Sequence, residues 1–181
     1  MLLVLTDRTL VPTGRSLVGV VRAAVEGGAT HVVLREKDLP RSDRAALARE
    51  LSELVPVLLI ASDPSIAADG VHLAAADPWP PARPALVGRS CHSRADLERA
   101  AHEGCDYATL SPIFESPSKP GYGPALTVDA LRDAPLPVYA LGGVDPTNAH
   151  SCIEAGAAGV AVMGYVMRAD DPAVAVKELL S

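Results

Sequence analysis

Short apolar runs, many of them β-branched, punctuate the chain at residues 2–5, 31–34, 55–61, 70–73, 85–88, 107–110, 138–141 and 159–163. Each is near-continuously apolar rather than alternating, which is the pattern of parallel strands covered on both faces. Between them lie stretches rich in Ala, Leu, Arg and Glu with helical spacing, at residues 15–26, 42–54, 93–102, 128–133, 148–155 and 172–180. Glycines follow these stretches at Gly27, Gly28, Gly104 and Gly156, where a helix end favours a residue that tolerates left-handed backbone. Ser93 and Thr147 stand where N-caps are expected. Glu-Gly-Gly-Ala (26–29), Glu-Gly-Cys-Asp (103–106) and Glu-Ala-Gly-Ala (154–157) repeat one phrase of helix end, turn and strand start.

Eight strands alternating with helices predict an α/β chain, a (β/α)8 TIM barrel forming one domain over residues 1–181. The competing reading is a doubly wound open sheet. The signature Gly-x-Gly-x-x-Gly follows none of the runs, which removes that reading's best support. The chain is short for a barrel, which usually takes ~250 residues. The stretch between Asp63 and Gly70 has room for barely one helical turn, and Pro-Trp-Pro-Pro-Ala-Arg-Pro (78–84) cannot be a regular helix. The third and fourth helices are therefore expected to be shortened or replaced by loops. Trp79, in the proline-rich stretch, is expected to cover either that thinned face or the active site.

Composition narrows the function. With 49% hydrophobic residues the chain can build a full core. A net charge of −6 and an aromatic content of 3% count against a nucleic-acid partner. No run reaches the ~18 apolar residues of a membrane span, and the apolar start lacks the basic flank of a signal peptide. The expectation is a cytoplasmic protein with small-molecule partners, no membrane partner, and a homo-oligomer as one open state of assembly. Cys91, Cys105 and Cys152 are too scattered for a disulfide framework or zinc cage. They read as small buried hydrophobes, or at Cys91 as a reactive thiol.

In a barrel, chemistry gathers at the C-terminal ends of the strands. The runs end in Thr6-Asp7-Arg8, Arg35-Glu36-Lys37-Asp38, Ser62-Asp63, His72 followed by Asp77, Arg89-Ser90-Cys91-His92, Ser111-Pro112, Gly142-Gly143 and Met163-Gly164-Tyr165. The chain has thirteen Arg and three Lys. Lys37 and Lys119 fall at the expected mouth, and Lys177 on the last helix reads as a solvated surface residue. In an Arg-rich chain, lysines there suggest a need for a compact ammonium. Ser116, Ser118 and Lys119 lie in a long Pro/Gly-rich loop and suit a phosphate. Gly142, Gly143 and Gly164 would let backbone amides approach a phosphate monoester, or serve tight turns alone. Asp63 and Asp77 end consecutive strands and could hold Mg2+, which takes oxygen ligands; as turn and cap residues before Pro64 and Pro78 they need no metal. His92 reads equally as an acid or base and as a structural residue, and His72 reads as structural.

At these residues the chain resembles the thiamine phosphate synthase superfamily, which includes the TenI-type thiazole tautomerases. The blocks run in order: Leu-Thr-Asp-Arg (5–8), Val-Val-Leu-Arg-Glu-Lys-Asp-Leu (32–39), Ala-Asp-Gly-Val-His-Leu (68–73), Gly-Arg-Ser-Cys-His-Ser (88–93), Leu-Ser-Pro-Ile-Phe-Glu-Ser-Pro-Ser-Lys (110–119), Ala-Leu-Gly-Gly-Val (140–144) and Gly-Val-Ala-Val-Met (159–163). The resemblance implies a synthase that joins hydroxymethylpyrimidine pyrophosphate to thiazole phosphate through a pyrimidine carbocation. It implies that Arg35, Lys37, Ser90 and Lys119 contact pyrophosphate, with Ser116 and Ser118 replacing two threonines. It implies that Asp63 and Asp77 hold magnesium, and that Gly143 with the turn from Met163 to Tyr165 binds the thiazole phosphate. The pattern also departs. Val33 stands at the Gln that recognises the pyrimidine, Ser62 at an Asn, Ala74-Ala75 at Gly-Gln and Gly164 at a common Ser. The alternatives are a tautomerase acting on a thiazole carboxylate phosphate, and an inert phosphate-binding relative. A tautomerase of that type carries a His at the position of Ser111 or Pro112, which this chain lacks.

Overall fold

The computed structural model describes residues 1–115 and 125–181. Eight parallel strands, β1 (Leu2–Leu5), β2 (His31–Leu34), β3 (Val57–Ala61), β4 (Gly70–Leu73), β5 (Leu86–Cys91), β6 (Tyr107–Leu110), β7 (Val138–Leu141) and β8 (Gly159–Val162), pair in chain order. β8 returns to β1 with Val4 opposite Val162, and the sheet is a closed barrel. The open doubly wound sheet is thereby excluded.

Alternation along each strand makes two cores. Leu3, Leu5, Val33, Leu59, Ala61, Tyr107, Tyr139 and Ala161 fill the barrel interior. Leu2, Val4, Val32, Leu58, Ile60 and Val87 face outward into the larger core under the helices. Gly88 makes room for a tyrosine inside the barrel: a Cβ there would lie 2.0 Å from Tyr107 Cζ.

The helices are α1 (Leu17–Glu26), α2 (Arg41–Ser52), α3 (Arg94–Glu103), α4 (Ala149–Glu154), α5 (Gly164–Met167) and α6 (Pro172–Leu180). Ser93 caps α3 by accepting from Asp96 N–H at 3.1 Å, and Gly104 ends it at φ 85°. No helix follows β3 or β4. Ile66 is 6% exposed and enters the outer core, and Trp79 packs against it. Trp79 therefore lies on the outer core.

Several local expectations are corrected. β5 runs to Cys91, so Arg89, Ser90 and Cys91 are strand residues. Residues 128–133 form only a 3₁₀ turn, Val128–Leu131. Asn148, not Thr147, stands at the N-cap of α4, because Thr147 folds back to donate to Asp145 Oδ1 at 2.6 Å. α5 follows β8 directly and carries no apolar run long enough to announce itself. Among the described residues no helix is long and apolar enough to cross a membrane.

Candidate active site

The C-terminal ends of β1 to β4 carry the charge. The turn after β2 is anchored by Glu36, 4% exposed and at φ 22°. Its carboxylate accepts from Thr6 Oγ1 at 2.8 Å and from Arg8 Nη1 at 3.0 Å. With Glu36 tied to β1, the residues on either side point apart. Lys37 Nζ donates to Ser62 Oγ at 2.6 Å, over β3. Arg35 reaches the opposite way, with Nη1 2.8 Å from Met163 Sδ at the end of β8 and 3.9 Å from Asp7. Of the expected cations, Arg35 thus turns toward β8 and Lys37 toward β3.

Ser62 has φ 58°, a left-handed backbone that is uncommon outside glycine. Its hydroxyl accepts from Lys37 and donates to the Asp77 carboxylate. Asp77 also accepts from Ala74 N–H at 2.7 Å. Burial pushes its carboxyl upward, but the Ser62 and Ala74 hydrogen bonds and the charges of Lys37 and Arg89 outweigh burial and hold it below the ordinary range. Asp63 is engaged elsewhere. Oδ1 accepts from Ser65 N–H at 3.0 Å, while Oδ2 lies 3.5 Å from Arg44 and 3.6 Å from Arg41. Its carboxyl is raised by burial and lowered further by Ser65 and the two arginines, for a net depression.

Sequence reasoning missed Arg89. The side chain leaves β5 outward and is 1% exposed. Nη1 donates to the carbonyls of Ala74, Ala75 and Asp77 at 3.1, 3.2 and 2.9 Å, and Nη2 lies 2.8 Å from Glu103 of α3. Arg99 adds a bond to Ala75 O at 3.0 Å. These arginines brace the loop that carries Asp77, where a larger barrel would place a helix. The sequence signal was an Arg immediately after the apolar run 85–88.

Inside the mouth, His72 joins Tyr107 and Ser90, with Nδ1 2.8 Å from the Tyr107 hydroxyl and Nε2 2.9 Å from Ser90 Oγ. Burial, reinforced by the charges of Lys37, Arg35 and Arg89 against that of Asp77, lowers the His72 pKa to about 3, so the ring is neutral. His92 Nδ1 lies 2.9 Å from Ser111 O. Cys91 is buried with its thiol pushed up to about 12 by burial, which rules out a reactive thiolate at neutral pH.

At the far side of the mouth, Gly142 and Gly143 take φ 93° and 66°. A Cβ on Gly143 would lie 2.5 Å from Glu115 O, so the pair is required for packing against the segment after β6. The turn from Met163 to Tyr165 opens α5. Arg168, from the end of α5, folds back so that a Cβ at Gly164 would lie 2.3 Å from its Nη2. Ser116, Ser118 and Lys119 lie outside the described residues.

A family model described as thiamine monophosphate synthase matches residues 2–166. The chain belongs to that family. A thiamine-phosphate synthase of Methanoculleus marisnigri is 39% identical over 196 residues, spanning 98% of this chain and 92% of the relative. Another, of Roseiflexus castenholzii, is 36% identical over 197 residues, spanning 97% and 85%. Among solved structures, the thiamine phosphate pyrophosphorylase of Pyrococcus furiosus has a TM-score of 0.84 at 29% identity, covering 99% of this chain and 93% of that one. A 3-hexulose-6-phosphate synthase, at 16% identity and a TM-score of 0.70, shares the fold alone.

In this thiamine monophosphate synthase family member, two positions where the resemblance implies polar side chains are held by Val33 and Gly164. Val33 is fully buried among the apolar interior residues and offers no hydrogen bond. Gly164 lacks a side chain where the Arg168 guanidinium sits. Asp63 and Asp77 offer carboxylate oxygens at neighbouring strand ends, the donor type a hard cation takes, although Asp63 turns to Ser65, Arg41 and Arg44 while Asp77 turns to Ser62. No group of three or more His, Cys, Asp or Glu that could hold a metal occurs among the described residues. The set therefore fits magnesium only in its common mode, with one or two carboxylates and the remaining positions filled by water and substrate phosphate.

Proposed function

We propose that the chain is a thiamine-phosphate synthase, joining hydroxymethylpyrimidine pyrophosphate to thiazole phosphate with release of pyrophosphate. The bond from the pyrimidine methylene to the pyrophosphate oxygen breaks, and its electron pair leaves with pyrophosphate. The thiazole nitrogen then supplies the pair for the new carbon–nitrogen bond. The protein's contribution to such a step is electrostatic, because negative charge develops on the leaving group.

The observation that carries the reading is the Lys37–Ser62–Asp77 array, with Asp63 beside Ser62. Lys37 supplies a positive charge to the departing pyrophosphate, and Ser90 supplies a hydroxyl to it. Arg35, on the β8 side, faces the second substrate's phosphate as well as the first. Gly142, Gly143 and the turn from Met163 to Tyr165 receive the thiazole phosphate; Ser116, Ser118 and Lys119, outside the described residues, are assigned to the pyrophosphate on the resemblance alone. Magnesium, held by Asp77 and Asp63, would neutralise charge on the pyrophosphate. The tautomerase alternative lacks its histidine: Ser111 and Pro112 occupy that position, and the acidic pair it does not need is retained.

Titration calorimetry with each substrate, with and without magnesium, tests the assignment, together with an assay for pyrophosphate release. Magnesium-dependent binding of the pyrimidine pyrophosphate and turnover with both substrates are expected. Binding of thiazole phosphate alone, without turnover, overturns the synthase reading in favour of a tautomerase or a binding protein.

A further inference from the structure

Among the described residues the barrel interior is apolar except for Thr109, whose buried hydroxyl has no hydrogen-bond partner, and a short polar file that rises to the mouth. Tyr107 is 6% exposed, and among the described residues its hydroxyl has one hydrogen-bond partner, His72 Nδ1 at 2.8 Å. The ring is held edge-on to Tyr139, with centroids 5.4 Å apart, and seated in the space left by Gly88. His72 is 4% exposed, and its other nitrogen lies 2.9 Å from Ser90 Oγ, at the last interior position of β5. Both ring nitrogens of His72 are therefore spoken for, and a neutral imidazole has one donor and one acceptor.

The direction of the file follows from its buried end. Burial pushes the Tyr107 phenol far above its ordinary value, so it keeps its proton. A phenol that accepted from Nδ1–H would leave its own buried O–H unpaired, which is unfavourable. Tyr107 must donate to Nδ1, and the ring proton must then sit on Nε2. Nε2–H donates to Ser90 Oγ. The Ser90 proton, no longer needed by His72, is left to point out of the file. In the opposite tautomer Ser90 would have to donate inward, presenting only lone pairs to an anion.

We propose that Tyr107, acting through the His72 tautomer, makes Ser90 a hydrogen-bond donor toward the mouth, so that its hydroxyl donates to an oxygen of the departing pyrophosphate. Tyr107 and His72 are positioning residues, two steps and one step removed from the substrate. The inference rests on the reading above that Ser90 contacts pyrophosphate.

The first test is independent of activity. Long-range proton–nitrogen correlation spectra of the unliganded protein, with imidazole nitrogens labelled, report the His72 tautomer. The Nε2–H form is expected in the wild type, with the Nδ1–H form gaining population in Tyr107→Phe. A wild-type protein holding the Nδ1–H form overturns the proposal, whether or not any variant folds. The second test is kinetic. Tyr107→Phe should lower kcat/KM for the pyrimidine pyrophosphate about tenfold, the worth of one hydrogen bond. Binding of thiazole phosphate should change by less than about twofold. In a Ser90→Ala background the same substitution should cost nothing further, a result that a merely structural role for Tyr107 would not produce. An unchanged kcat/KM in Ser90→Ala defeats the assignment of Ser90 to pyrophosphate. A loss in Ser90→Ala with none in Tyr107→Phe defeats the tautomer relay alone.

Discussion

The Lys37 ammonium meets the Ser62 hydroxyl at 2.6 Å, and through that hydroxyl it is coupled to the Asp77 carboxylate. Burial lowers the Lys37 pKa, and the neighbouring Asp77 acts against it, with Arg35 and Arg44 acting in the same direction as burial. A cation held in this way is already placed for an incoming pyrophosphate. Lys37→Met should lower kcat/KM by about a hundredfold, the scale of removing one preorganised group from a charge-developing site. Lys37→Arg should recover only part, since a planar guanidinium cannot occupy the site of a compact ammonium. Steady-state kinetics on the three proteins check the ordering.

The two carboxylates should separate in their effects. Asp77 faces Lys37 and Ser62, whereas Asp63 faces Arg44, which is 7% exposed. Asp77→Asn is expected to abolish most magnesium-dependent binding and to cost less stability than Asp63→Asn, since the amide oxygen can still accept from Ala74 and no buried guanidinium loses its partner. Asp63→Asn is expected to weaken magnesium binding less and to cost about 1–3 kcal/mol of stability, because it leaves a buried guanidinium without its charge partner. Calorimetric magnesium titration and urea unfolding, run on both variants, read the two effects apart.

Arg89 braces the Asp77 loop through three carbonyls. Arg89→Met should lose about 2–4 kcal/mol of stability, as a buried charge-assisted cluster is dismantled and Glu103 is stranded. Adding Glu103→Gln should recover part of that loss without restoring activity. Thermal unfolding and turnover of the single and double variants provide the check.

Acid sensitivity should begin above the carboxylate range. The His72 pKa of about 3 lies below its ordinary 6.5. Between those values the unfolded chain binds a proton that the native protein refuses, so stability is complete above 6.5 and falls as pH drops toward 3. The slope is at most about 1.4 kcal/mol per pH unit for this one group. His31, lowered mainly by burial, adds to it near the top of the window. Asp63 and Asp77, with depressed carboxyls, contribute stability that is lost only as pH falls through their own lower range. Urea midpoints measured from pH 7.5 to 4.5 should decline in the wild type and decline less steeply in His72→Gln.

The strand-end residues were legible because a parallel barrel places each strand's C-terminal polar residues on one face, whatever its detailed packing. Ser90 is an instructive exception in detail. The pattern ended its strand at Gly88, yet pairing with β6 carries β5 to Cys91 and turns Ser90 inward toward His72. Arg89 lies one step along and therefore points outward. Neither environment is encoded within the local run.

Hydrophobic periodicity is a local property, and it determined the eight strands and most of the helices between them; spacing and prolines showed the two missing helices, and the strand-end residues showed the charged end of the barrel. Which cation faces which anion depended on barrel closure and register, which bring residues distant in sequence within hydrogen-bond reach. Lys37 to Ser62, Arg35 to Met163, Arg89 to Asp77, and Tyr107 through His72 to Ser90 are all contacts between different strands or their loops. Only the tertiary structure decided them, because side-chain reach across a closed sheet depends on geometry that no single segment contains.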